Sequence, residues 1–271
     1  QWGRWMIWNG KVWTSDDTLA VLDKVRDFVR MKSGQKVSLL KASTIASVER
    51  LTRADRRYAS RPSCWDVQDL FLNTQAGIVN LTTGALNPHD PELHMSKITS
   101  VAPGGEAPRW RSFLSEITDG DVEYQDFLQR VVGYSASGLT NEHALFFFFG
   151  TGSNGKSVFI NTLHKVIGNY AAVASMATLT QSKFERHPTD LAMLQGARLA
   201  FAQETESGHA WAESKIKLMT GGDPISARFM RRDFFTFTPK FKLIIAGNHK
   251  PRIRHADDEA MRCRPHLFSC T

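Results

Sequence analysis

Apolar residues along this chain fall into short unbroken runs separated by stretches with helical spacing. Leu145 to Phe149 (LFFFF) has no polar face and is too short for a buried helix, which predicts a strand covered on both sides, as in a parallel sheet. Arg198–Glu204 (RLAFAQE) and Phe241–Ala246 (FKLIIA) predict two more buried strands. Between the first two runs, Ser157–Ile167 (SVFINTLHKVI) spaces its apolar residues for one face of a helix. Lys215–Met219 predicts a helix stopping at Gly221-Gly222. ISARFM and FFTFTP, flanking Arg231-Arg232-Asp233, predict a hairpin with a basic tip.

The first hundred residues have a different texture. Trp2, Trp5, Trp8 and Trp13 alternate with polar positions around Asn9-Gly10, predicting a hairpin of Trp5–Trp8 and Lys11–Trp13. Such tryptophans build a local core or stack nucleic-acid bases, and the first use is the commoner. Helices are predicted over Asp17–Met31 and from about Ser43 to Ala54, the second running into the arginines 53, 56, 57 and 61. Short strands and turns follow from Asn73 to Thr99, with Gly77–Leu81 and Ala85-Leu86 around the turn Thr82-Thr83-Gly84. Pro103-Gly104-Gly105 and Pro108 mark a boundary, beyond which Trp110–Ile117 and Val122–Tyr134 read as amphipathic helices. The expected architecture is α/β: residues 109–271 as a P-loop ATPase-type domain with a central, mostly parallel sheet and a β-hairpin insertion, preceded by a smaller α+β domain at 1–108.

Candidate chemistry concentrates after the first buried strand. Gly150-Thr151-Gly152-Ser153-Asn154-Gly155-Lys156-Ser157 fits GxxxxGK[ST] at every fixed position, between a predicted strand and a predicted helix. The glycines let successive backbone N–H groups turn toward phosphate oxygens. Lys156 brings a charge to the β- and γ-phosphates, Ser157 a hydroxyl to Mg²⁺, and the helix N-terminus faces the anion. The expected ligands are ATP and Mg²⁺. Glu204 ends the second buried strand, where an ATPase needs a carboxylate to hold Mg²⁺ and orient the attacking water; Glu206 could share that work, and Gln203 is the neighbour that could face the metal. Asn248, after the third strand, could touch the γ-phosphate or be ordinary turn chemistry.

Charge adds a partner. The 271 residues hold 34 Lys and Arg against 27 Asp and Glu, a net +7. Residues 212–271 contain 12 of the basic and 6 of the acidic groups, so +6 lies there and +1 in all that precedes. A polyanion is the natural partner of that segment, with Arg228, Arg231 and Arg232 on the hairpin as phosphate-backbone contacts. Apolar runs are too short to span a bilayer, and Cys64, Cys263 and Cys270 suit neither a disulfide framework nor zinc, which leads to the expectation of a cytoplasmic protein away from membranes.

GTGSNGKS, RLAFAQETES, KIKLMTGGDPISARFM and KLIIAGNHKPRI, in this order and at these spacings, resemble the superfamily 3 helicases, and within them the phage/plasmid primase–helicase family with its poxvirus-type relatives. WNGKVW, LNTQAGIVNLTTGALNPHDPE and FLQRVVGYSASG are similar to the domain that precedes the ATPase in that family. The resemblance implies an ATP-driven, ring-forming, usually hexameric motor moving on single-stranded DNA during replication. It implies Lys156 and Ser157 as nucleotide and Mg²⁺ ligands, Glu204 as the acidic motif, Asn248 as the sensor and Arg228–Asp233 as the DNA-facing hairpin. An arginine acting between subunits is expected at Arg264, with Arg262 second. Cys263 stands where the family has an arginine and Pro265 interrupts its pattern, so the end of the domain is expected to be truncated and irregular. Two rival functions follow: a DNA-binding and assembly remnant that binds ATP without productive turnover, and a P-loop phosphotransferase acting on a small molecule.

Overall fold

A computed structural model describes residues 3–34, 36–150, 152, 154–181, 189–203, 210–249 and 258–269. The chain forms two compact units, one of residues 1–67 with 89–96 and the other of residues 68–88 with 97–271.

The first unit opens with a hairpin, β1 (Met6–Trp8) and β2 (Trp13–Ser15), in which Trp8 lies opposite Trp13. The second strand begins two residues later than its apolar pattern predicts. Asn9 Oδ1 accepts the N–H groups of Lys11 and Val12, which lengthens the turn. Helices α1 (Ala20–Ser33) and α2 (Ala42–Ala54) follow. The first starts at Ala20, not at the expected Asp17, because Leu19 is left-handed (φ 61°) and Asp16 takes the Ala20 and Val21 N–H groups. The tryptophans build a local core: Trp13 packs edge-on to Trp65 and stacks on His94, and its indole N–H donates to Pro91 O. Trp5 donates to Glu49.

The second unit begins with an antiparallel sheet of β3 (Phe71–Thr74), β4 (Gly77–Asn80) and β5 (Leu86–Asn87). Helices α3 (Pro108–Ile117) and α4 (Val122–Ala136) come next, the latter capped by Asp121, whose carboxylate accepts the Tyr124 N–H. The rest alternates: β6 (Leu145–Phe149), α5 (Lys156–Ile167), β7 (Ala171–Val173), α6 (Met176–Leu179), α7 (Thr189–Ala192), β8 (Leu199–Gln203), α8 (Glu213–Thr220), the hairpin β9 (Ile225–Ala227) and β10 (Phe235–Phe237), β11 (Lys242–Gly247), α9 (Glu259–Arg262) and β12 (Pro265–Ser269).

Five of these strands form one parallel sheet in the order β12-β6-β11-β8-β7. It is buried on both faces, as the uninterrupted apolar runs require. Leu145, Phe147, Ala200, Leu243 and Ile245 pack on one side with Trp211, Ile216 and Met219. Phe146, Phe148, Phe201 and Ile244 pack on the other with Leu128, Phe159, Leu163 and Phe268. Pro265 interrupts the apolar pattern and so predicts a break in regular structure. Instead it begins β12, an edge strand, where a missing N–H costs no ladder bond.

Two buried cations tie this sheet to its surroundings at the ends opposite the glycine loop. Arg198 donates to Ala136 O, Gln68 O and Phe71 O, with its guanidinium 4.6 Å from the centre of the Tyr170 ring. Lys242 donates to Ser137 O, Leu139 O and Lys240 O over the face of Tyr134. Both thus supply donors and positive charge at the C-terminal end of α4, as a helix dipole favours. Burial, aided by Arg198 and opposed by Asp69, lowers the Lys242 pKa to about 7. Between pH 7 and the ordinary lysine range the unfolded chain then holds a proton that the native state has shed. Stability therefore rises with pH there, by at most about 1.4 kcal/mol per pH unit, and is flat below where both states are protonated. Denaturation from pH 6 to 10 should show the native protein gaining stability relative to Lys242→Met as pH rises. Parallel curves would mean that the three carbonyls keep the ammonium charged throughout.

Candidate nucleotide site

Strand order brings three strand ends together. β11 pairs with β6 on one side and β8 on the other, with Gly247 opposite Phe149 and Ala246 opposite Gln203. The loop after β6 therefore opens beside the ends of both other strands, at the C-terminal edge where parallel sheets bind ligands. A cavity of about 280 Å³ lies there, lined by Gly152, Asn154, Gly155, Lys156, Ser157, Val158, Gln203, Ala246, Gly247 and Asn248.

The loop needs its glycines for geometry. Gly150, Gly152 and Gly155 have φ of 156°, 105° and 78°. At Gly155 space is lacking as well, since a Cβ would come 2.5 Å from Ile117 Cγ2 and 3.0 Å from Phe113 Cε2. Gly155 is also the N-cap of α5, and it offers no side-chain acceptor to the free N–H groups of the first turn. They remain available to a ligand.

Lys156 is the first residue of α5 and is 7% exposed. Its ammonium donates to Gly150 O at 2.7 Å and Asn154 Oδ1 at 2.8 Å, both neutral acceptors. Among the described residues it has no carboxylate partner. A buried cation beside unsatisfied helix N–H groups is an anion site by construction. Ser157, next on the helix, is exposed toward the same cavity. Gln203 and Asn248 line the opposite wall, both exposed. The geometry thus gathers Gly152, Asn154, Gly155, Lys156, Ser157 and Asn248 around one cavity. Thr151, Ser153, Glu204 and Glu206 lie outside the described residues. Ala246, Gly247 and Val158 were not singled out from the sequence. Only strand register identifies the first two.

The remaining candidates stand apart from this cavity lining. Arg228 directly follows β9, with its guanidinium 4.7 Å from the centre of the Phe234 ring, and Arg231 and Arg232 are exposed at the hairpin tip. Arg264 is held within its own chain: Nε donates to Thr220 Oγ1 at 2.9 Å, and the guanidinium also bonds Ala260 O. Arg262, in the last turn of α9, is exposed. No group of three His, Cys, Asp or Glu side chains among the described residues could hold a metal ion. No helix among them is long and apolar enough to cross a membrane.

A parallel α/β sheet with a glycine loop leading into a lysine-headed helix defines the class as P-loop-like. Residues 1–119 match a family model described as D5 N terminal like, and residues 148–264 match a family of unknown function (DUF5906). The chain is 26% identical over 152 residues to "Putative helicase L207/L206" of Acanthamoeba polyphaga mimivirus and 28% over 159 residues to "Putative helicase 022R" of Frog virus 3 (isolate Goorha). These matches take in 55% and 56% of this chain but only 16% of each relative. One similar solved structure is "The apo structure of NrS-1 C terminal region (305-718)", at 16% identity and a TM-score of 0.49, covering 63% of this chain and 40% of that one. The N-terminal 119 residues thus match the D5 N terminal like family model, and the viral relatives to which the chain is similar are named as putative helicases.

Proposed function

We propose that this chain is the ATPase module of a DNA helicase of the superfamily 3 type, translocating on single-stranded DNA during replication. One observation carries most of the reading: the buried Lys156 at the head of α5, with no carboxylate partner among the described residues, in a cavity that also receives the ends of β8 and β11. In this reading the loop N–H groups and Lys156 hold the β- and γ-phosphates of ATP. Ser157 and Glu204 would hold Mg²⁺, which would supply positive charge to neutralise that developing on the phosphates. Glu204 orients the attacking water, and Asn248 senses the γ-phosphate. The DNA contacts are Arg228, Arg231 and Arg232, and the working state is a ring, hexameric in the intact protein, with each ATP completed by a neighbour's arginine. For that arginine, exposed Arg262 is better disposed than Arg264, whose guanidinium would first have to leave Thr220.

The acidic residue offers the test. Glu204→Gln should bind ATP as the native chain does and hydrolyse it at least about 10²-fold more slowly, because an amide cannot take a proton from water. Equilibrium binding and steady-state hydrolysis, measured beside Glu206→Gln, separate the two positions. Deficiency in Glu206→Gln with normal Glu204→Gln would move the catalytic role by two residues. Slow intrinsic turnover at low concentration would fit the second reading, a remnant that binds ATP and DNA, and Arg264 engaged within its own chain is the observation that favours it.

A further inference from the structure

The tip of the β9–β10 hairpin is built against the usual rules for a turn. Ala227 pairs with Phe235, and the connecting loop reads Arg228-Phe229-Met230-Arg231-Arg232-Asp233-Phe234, in which Asp233 is the one common turn residue. The turn closes through Arg232 N–H to Phe229 O, and Arg231 is left-handed at φ 57°. A β-carbon disfavours that conformation, so the tip keeps a long cationic side chain where glycine would be relaxed. The apolar residues are equally out of place. Phe229, Met230 and Phe234 are 40%, 74% and 59% exposed, side by side with an exposed arginine pair.

These side chains are ordered among themselves. The Phe229 ring stacks on Phe235 at 5.6 Å and 21°. The Arg228 guanidinium lies over Phe234, and its Nε is buried with no hydrogen-bond partner among the described residues. Arg228 O accepts from Thr189 Oγ1 of α7, fixing the base of the loop while its tip stays in solvent. Backbone phosphates alone call for arginines and no aromatic rings. A strand of nucleotides presents both phosphates and flat apolar faces, and this tip offers a partner to each.

We propose that Phe234, backed by Arg228, is a base-stacking platform, so that the tip grips unpaired bases as well as phosphates and thereby distinguishes single-stranded from paired nucleic acid. This rests on the proposed DNA contact of the same hairpin. A paired base keeps its faces in the helix stack, whereas an unpaired one can lay a face on Phe234, whatever its sequence.

The test uses the full chain and two labelled oligonucleotides of equal length, one of deoxythymidine and one in which abasic residues replace the bases. Titration at several salt concentrations gives an affinity ratio and a log–log salt slope for each protein. The native chain should prefer the base-bearing strand by about 5- to 150-fold, the range for one stacked base. Phe234→Ala should bring that preference close to one with the slope unchanged, and Phe234→Trp should keep it. Arg231→Ala with Arg232→Ala should do the reverse, lowering the slope by about 1.4 and sparing the preference. A preference that survives Phe234→Ala overturns the stacking platform. A slope unmoved by the double arginine variant overturns the hairpin contact beneath it. If Phe234→Ala instead lowers the mass measured by light scattering and leaves base preference intact, the exposed ring packs on a second copy and the proposal is wrong.

Discussion

Replacing Lys156 by alanine should leave a folded protein whose ATP turnover, expected on the proposed function, falls by at least about 10²–10³-fold, the scale for removing one preorganised donor from a developing phosphate charge. Stability changes little by comparison. Among the described residues the lysine bonds Gly150 O and Asn154 Oδ1, and the loop that carries them opens to solvent on the cavity side, so water replaces the lost donor. Losing about 1 kcal/mol lowers the melting temperature of a chain this size by a few degrees. Hydrolysis and a thermal melt on the same samples separate the two effects. Undiminished turnover by folded Lys156→Ala removes the nucleotide assignment.

Arg262→Ala should lower DNA-stimulated hydrolysis by about 10³–10⁵ in the assembled protein with no change in melting temperature, as for an arginine supplied in trans to a phosphoryl-transfer site. Arg264→Ala should behave oppositely in one respect. It removes the bond to Thr220 at the end of α8 and the contact with Ala260, so the melting temperature drops, by the equivalent of roughly 1–3 kcal/mol. Assays of both variants at concentrations where light scattering shows the assembled species give the comparison. Loss of turnover without loss of stability in Arg264→Ala would return the inter-subunit role to Arg264.

Much of the ATPase-like unit was legible because its signals are local. Five consecutive apolar residues at 145–149 can be satisfied only by cover on both faces, and the glycines that follow are demanded by backbone angles no side chain tolerates well. What escaped sequence reading depends on distant partners. Lys242 falls inside an apolar strand with no local sign of its partners, yet it is 2% exposed because two carbonyls from a distant segment, Ser137 O and Leu139 O, join the neighbouring Lys240 O around it. Residues 68–88 group with the later part of the chain and not with what precedes them, held in part by Arg198 reaching Gln68 and Phe71 across 130 and 127 residues. No local pattern announces such bonds. Pro265 misled for a related reason: whether a proline breaks a strand depends on whether its N–H side has a neighbour, which is a property of the sheet edge.

Within the site, the loop and Lys156 could be read directly, since their chemistry and spacing are one motif. Gln203 and Asn248 were expected beside the nucleotide from their places after buried strands, and the strand order supplies the reason: β8 and β6 are not adjacent and meet through β11. That crossover turns three separate strand ends into one site.

The central claim is that this cavity binds a nucleoside triphosphate, and calorimetric titration of the native chain and Lys156→Ala with Mg²⁺ and a non-hydrolysable ATP analogue tests it without requiring assembly or turnover. One saturable site per native chain is expected, and none over the same range in the variant. Equal binding by both proteins, or no binding by the folded native chain, would contradict it.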